Sequence, residues 1–320
     1  MKITRQHGIL LGVVLILIAA ISLMVSWSGD DDDIARELDE EPQVSVYVSD
    51  TGETLTLGLE EYIQGVVAGE MFPDWPTEAY AAQAILARSF TLAFIAEGGL
   101  QEKYGTDVST NIEEVQAYNP DAITPEIKQG VEMTRGEVMT HDGRLVKGWF
   151  HAYSGGITAS AKEGLDYQEE EPPYIKSVDL PDNEYAPEDV TNWMTEYTEG
   201  ELLTLLRKAG LNLNSIADIR IADTGPTKRV TKIEIETADG QVETISGPEF
   251  RLAVDSTRMK STLVNVFEYG DGVLKIEGTG YGHGVGLSQW DAFKMAKDGK
   301  NPEEIVTSFF NEVEIKKLYQ

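Results

Sequence analysis

The 320-residue chain contains no cysteine and only four histidines. The missing thiols exclude disulfide staples, thiolate metal sites and a cysteine nucleophile. A metal centre would have to be built from His7, His141, His151, His283 and carboxylates, and no such ligand spacing occurs, so neither a metal nor another cofactor is expected. Positive charge is scarce too: 26 Lys and Arg against 55 Asp and Glu leave a formal net charge of −29. Nucleic acid is bound through clustered Lys and Arg, so it is not an expected partner. A hydrophobic content of 41% suffices for a globular core.

Lys2 and Arg5 precede an uncharged apolar run of 20 residues, Gly8 to Trp27. That length spans a bilayer, and the flanking bases keep the N-terminus in the cytoplasm. Residues 1–28 are therefore expected to be a single transmembrane helix, with everything after it outside the cytoplasm. The competing reading is a cleaved signal peptide, against which stand the length of the run and the poor Ala20-Ile21-Ser22 cleavage site. Residues 29–43 carry Asp30 to Asp33, Glu37 and Asp39 to Glu41, and read as an extended acidic linker.

The remainder, 44–320, is expected to form one α+β domain of mixed helices and antiparallel hairpins. Val44, Val46 and Val48 alternate as in a strand, and Thr54 to Leu57 is its candidate partner. Leu59, Ile63 and Val66 mark one face of a helix over 59–69, and an Ala-rich helix follows over 77–96 with Thr77 as its candidate N-cap. Asp-Gly pairs at 142–143, 239–240 and 271–272 predict three hairpins, joining strands 137–140 and 145–151, 230–237 and 241–245, and 264–269 and 273–277. Further helices are expected at 199–209, 248–254, 288–297 and 302–310. The acidic, proline-containing stretch 166–189 reads as a surface excursion.

Four places invite a chemical reading. Glu70 continues the apolar face of its helix at the negative end of the helix dipole; burial and dipole both favour the protonated carboxyl that a general acid needs. A Glu turned to water past a frayed helix end is the plainer alternative. Arg88, amid Ala and Leu, is either a snorkelling surface side chain or a buried fork that orients a carboxylate or sugar oxygens. Ser154-Gly155-Gly156 follows a strand and is either a tight turn or a set of amides and a hydroxyl for sugar. The stretch from Gly278 to Gly286 has five glycines in nine residues around Tyr281 and His283. It lets backbone approach a ligand closely but lacks the spacing of a dinucleotide site. A Ser–His–Asp triad drawn from Ser154 and His283 stays open, without a nucleophile-elbow motif.

Taken together, Val66-Val67-Ala68-Gly69-Glu70-Met71, Ala82-Gln83 to Arg88-Ser89, Ser154-Gly155-Gly156-Ile157-Thr158 with Pro173 to Val178, and Gly280 to Gln289 resemble, in order and spacing, the stage II sporulation protein D family. That family shares its domain with the amidase-enhancer LytB proteins. The resemblance runs from about Val44 to the C-terminus.

The resemblance implies a lytic transglycosylase that cleaves peptidoglycan between N-acetylmuramic acid and N-acetylglucosamine, preferring strands stripped of stem peptides. Glu70 would be the catalytic group, with Gln83, Arg88, Ser154, Gly155, Gly156, Tyr281, His283 and Gln289 holding the glycan. Implied partners are a peptidoglycan amidase and a polytopic membrane protein of forespore engulfment. The implied location is the membrane of a spore-forming bacterium. A non-catalytic wall-binding module that recruits or stimulates an amidase is the alternative. Departures from the family pattern are Ala81 for Lys, Phe90 for Tyr, and Asp291-Ala292 for Gly-Ala. Zinc, held in some relatives by Cys and His near the Ser-Gly-Gly loop, is not carried over to a chain without Cys.

Overall fold

The computed structural model describes residues 35–112 and 114–320. The expected anchor, residues 1–28, and the start of the acidic linker lie outside the described residues. Among the described residues one helix, Thr77–Ala96, is long and apolar enough to cross a membrane. Its residues are buried around most of the circumference, and a helix apolar all round belongs in a core.

That helix is the hub of the first of two hydrophobic cores. Its alanines let the helices Leu59–Glu70, Pro125–Met133, Gln289–Lys297 and Pro302–Phe309, and the strand Glu137–His141, pack close to it. Thr77 is its first helical residue rather than its cap; Pro76 precedes it without a capping side chain. Three small sheets surround the hub. Gln43–Val48 pairs antiparallel with Glu53–Gly58 and parallel with Val108–Ser109. Glu137–His141 lies between Glu314–Lys317 and Arg144–Leu145. Phe150–His151 runs parallel to Leu287–Ser288.

The expected strand over 145–151 is thus broken, with its two ends in different sheets. The cause is Gly148: a Cβ there would lie 2.9 Å from the Leu86 carbonyl. The chain at this point lies flat on the hub helix instead of continuing the ladder.

Within 44–320 the described residues pack around two hydrophobic cores. Trp193, Tyr197, Leu202, Leu206, Ile233, Phe250, Leu274 and Ile276 belong to a second core. It is enclosed by the sheet Val242–Ser246, Val230–Glu236, Asp218–Thr224, the sheet Val264–Gly270, Val273–Gly278, Trp193–Thr198, and the helices Glu199–Lys208 and Gly247–Ala253. Asp142-Gly143 and Asp271-Gly272 both adopt positive φ, as tight hairpin turns require. The stretch 166–189 has little regular structure but is not merely a surface excursion. Ile175 is buried and bridges to Phe310, and the side chain of Asn183 reaches Asp291.

Candidate functional site

Glu70 is the last residue of the Leu59–Glu70 helix; Met71 leaves it in extended conformation. One carboxylate oxygen accepts the Ala117 amide at 2.7 Å. The strand of chain carrying Ala117 can lie this close because residue 69 is glycine: a Cβ there would stand 2.8 Å from the Ala117 carbonyl carbon. Burial raises the Glu70 pKa above the usual carboxylate range, and the Ala117 amide opposes the rise. Tyr62, two turns earlier, stacks on Tyr118 at 5.5 Å between ring centroids. Its hydroxyl is buried without a hydrogen-bond partner among the described residues. Burial, then Tyr118 and Glu70, push the Tyr62 pKa upward, so it stays a neutral phenol.

The two glycine-rich segments meet. Tyr153 and Tyr281 exchange backbone hydrogen bonds of 3.0 and 2.8 Å. His151 and His283 stand 5.6 Å apart, ring to ring. The Nδ1 of His151 faces the Val285 carbonyl at 3.1 Å and therefore carries the proton. The Nδ1 of His283 accepts the Val285 amide at 3.0 Å and therefore does not. Burial lowers both pKa values, that of His283 to about 3, with Arg251 and Arg229 adding to the effect. Both rings are neutral latches on one residue. The Nε2 of His151 is buried without a protein partner among the described residues, and no group of three His, Cys, Asp or Glu stands close together there.

Ser154 is fully buried. Its hydroxyl donates to Asp291 at 2.7 Å and accepts the Gly156 amide at 3.1 Å. The hydroxyl is therefore not free for sugar, contrary to expectation, and the open possibility of a triad with His283 finds no hydrogen bond between the two residues among the described residues. Gly155 backs onto Leu263, Thr279 and Gly280, whereas Gly156 faces open space. Asp291 also accepts from Ser288 at 2.5 Å and Asn183 at 3.1 Å. Asp291 is thus the knot of a buried polar network. Gln289, next to it, donates to Gln83 of the hub helix at 3.4 Å. The Gln83 amide nitrogen has no protein partner among the described residues. Tyr281 is half-buried, with the Lys260 ammonium 5.4 Å from its ring.

Arg88 does not join this group. It is completely buried, and its guanidinium forks onto Glu60 at 3.0 and 2.8 Å and donates to the Glu137 carbonyl at 2.7 Å. The Glu60 carboxylate also takes the Gly136 amide and the Tyr319 hydroxyl. The carboxylate that Arg88 orients is therefore internal, and Arg88 is a bolt of the fold rather than a sugar ligand. Ala81, one of the expected departures from the family pattern, is likewise buried. Phe90 stacks on Phe94.

Sequence reasoning overlooked Arg229, which comes from the turn between the strands Asp218–Thr224 and Val230–Glu236. It is buried beneath the Ser-Gly-Gly turn and donates to the carbonyls of Ser154 and Ile157, each at 2.8 Å. Burial lowers its pKa to about 10. No local pattern in the sequence announces it, because both acceptors lie more than 70 residues away. Two open surface depressions, one lined by Trp193, Arg258 and Lys260 and the other by Glu97, Arg144 and Tyr174, contain none of the candidate residues.

A family model for stage II sporulation protein (SpoIID) matches residues 47–141. The segments carrying Glu70, Gln83 and Arg88 fall inside it. Residues 47–141 carry a SpoIID-family domain. A domain of unknown function (DUF8618) matches residues 167–286, which takes in the second core and the His283 loop. An uncharacterized protein of Brachyspira hyodysenteriae is 29% identical over 81% of this chain and 67% of its own length. The stage II sporulation protein D of Bacillus subtilis is 28% identical over 85% of this chain and 78% of its own. The amidase enhancer of Bacillus subtilis is 25% identical over 78% of this chain but only 39% of its own.

Proposed function

We propose that this SpoIID-family chain is a lytic transglycosylase of sporulation. It would cut peptidoglycan glycan strands between N-acetylmuramic acid and N-acetylglucosamine, preferably after stem peptides have been removed. The observation that carries the reading is Glu70: a carboxyl raised in pKa by burial yet held by the amide of Ala117. Burial favours the protonated form that its first task needs, and the amide stabilises the carboxylate needed for its second.

In the first half of the reaction the Glu70 carboxyl gives its proton to the glycosidic oxygen as the C1–O bond breaks. In the second half the sugar's own C6 hydroxyl attacks C1, and the Glu70 carboxylate takes the hydroxyl proton. The product is a 1,6-anhydro sugar, no water is consumed, and Glu70 is returned protonated. One carboxyl thus replaces the pair that hydrolytic glycosidases use.

The segment 1–28 would anchor the enzyme in the membrane with residues 44–320 on the wall side. A peptidoglycan amidase that strips stem peptides, and a polytopic membrane protein of the engulfment machinery, would be its partners. Similarity to an amidase enhancer supports a second reading, in which the chain binds wall glycan and stimulates an amidase without cutting. Purified Glu70→Gln separates the two. Under the first reading its release of 1,6-anhydro sugars from denuded glycan falls by about 10²–10⁴-fold. Release at the parental rate would overturn the assignment of Glu70, and undiminished amidase stimulation by the same variant would favour the second reading.

A further inference from the structure

A row of aromatic rings starts two residues beyond Glu70. Phe72, Trp290, Phe293 and Tyr185 follow one another with centroids 5.9, 5.5 and 5.2 Å apart. Trp75 lies behind them, 4.6 Å from Trp290, and is buried. Phe72 is 59% exposed and Tyr185 40% exposed, so both ends of the row face solvent.

The row is held rigidly. The Tyr80 hydroxyl donates to the Phe72 carbonyl at 2.8 Å and accepts the Trp75 amide at 3.0 Å, which fixes the turn after Glu70. The Trp290 amide donates to Ala152, and its carbonyl accepts from Asn183 at 2.8 Å. Trp290 thus hangs on the Asp291 knot, one residue past the Gln289 that meets Gln83. Two residues of chain reach no more than about 7 Å, so Phe72 cannot lie far from Glu70.

We propose that Phe72, Trp290, Phe293 and Tyr185 form a track on which pyranose rings of the glycan strand stack, delivering the scissile linkage to Glu70. The proposal rests on the glycan-cleaving reading of Glu70 and adds the surface that holds the strand. Hexosamine rings present a C–H face to aromatic π-systems and keep their hydroxyls and acetamides toward water. A line of separate, partly exposed rings suits a ligand made of repeating flat units. A globular protein partner fits less well. A stable protein interface covers about 800 Å² per partner. A ring residue buries only about 150–250 Å² in all, and much of each of these four is already covered.

The test is binding of denuded glycan strands by the full-length chain carrying Glu70→Gln, so that the strand is held and not cut. Added to that background, Phe72→Ala and Tyr185→Ala should each weaken affinity by about 3–10-fold, the value of one aromatic stacking contact. Phe72→Trp should restore it, and thermal melting should stay unchanged because both positions are at the surface. Parental affinity in both alanine variants overturns the track, as does failure of the parent to bind glycan at all. If the track variants lose affinity but the chain with Glu70 intact never cuts the strand, the track stands and the transglycosylase reading falls. If Glu70→Gln abolishes cutting while the alanine variants bind as the parent does, the reverse holds.

Discussion

His151 and His283 grip the two ends of one residue: the first donates to the carbonyl of Val285, the second accepts its amide. Both imidazoles are held in the neutral form beside Arg229 and Arg251, His151 buried and His283 partly so. In the unfolded chain each would titrate near 6.5. Between that pH and about 3, where folded His283 titrates, the unfolded state binds protons that the folded state refuses. Stability is therefore fully present above pH 6.5 and falls as the pH drops through this window. Denaturant midpoints measured from pH 7 to pH 4 should show the loss. A His283→Gln variant, weaker at pH 7, should show a shallower slope, and an equal slope would remove His283 from the explanation.

The Arg88–Glu60 fork predicts a stability defect where the family pattern suggested a substrate defect. Arg88→Met leaves the Glu60 carboxylate buried with its charge partner gone, a loss of about 3–5 kcal/mol. Replacing both partners with apolar residues should recover part of that loss. Any Arg88→Met chain that remains folded should retain the parental affinity for glycan. Weakened binding at unchanged stability would place Arg88 in the cleft after all.

Glu70 carries a signature in stability as well as in rate. Its folded pKa lies above its unfolded value, so the folded state binds more protons over the interval between them. Its contribution is fully present below the unfolded pKa and is lost as the pH rises through the folded one. Gln does not titrate. The melting temperature of Glu70→Gln should therefore gain on the parent as pH rises from about 4 to 8, a stabilisation at the site of lost activity. A pH-independent difference would show that the carboxyl is not held in its protonated form.

Tyr62 presents a buried hydroxyl without a partner among the described residues, stacked beside the loop that holds Glu70. An unsatisfied buried donor costs about 1–3 kcal/mol. Tyr62→Phe should thus be neutral or stabilising by up to about 1 kcal/mol in chemical denaturation. A clear destabilisation would reveal a partner for the hydroxyl, such as an ordered water.

Local patterns in the sequence carried much of the fold. The alternation of Val44 and Val46, the face of Leu59, Ile63 and Val66, and the Asp-Gly turns each reflect a constraint between near neighbours, and each matches an element of the structure. Thr124-Pro125 had the marks of a helix start and went unread, although Thr124 caps the Pro125–Met133 helix. The alternating Trp193–Thr198 strand was missed in the same way. Other features were not readable locally. The division into two cores depends on which distant residues pack together. The roles of Arg88, Ser154 and Asp291 depend on partners 28 and 137 residues away. Glu70 was legible as a candidate through its helical phase, whereas its amide partner at Ala117 was not.

The second core leaves and rejoins the first at one point, where the Gly280 amide meets the Val190 carbonyl at 2.8 Å. A segment whose two ends touch can be gained or shed by a gene without rethreading the host around it. This one carries Arg229, aimed back under the Ser154 turn. A shortened chain without this segment would therefore lose the prop beneath its own glycine-rich turn.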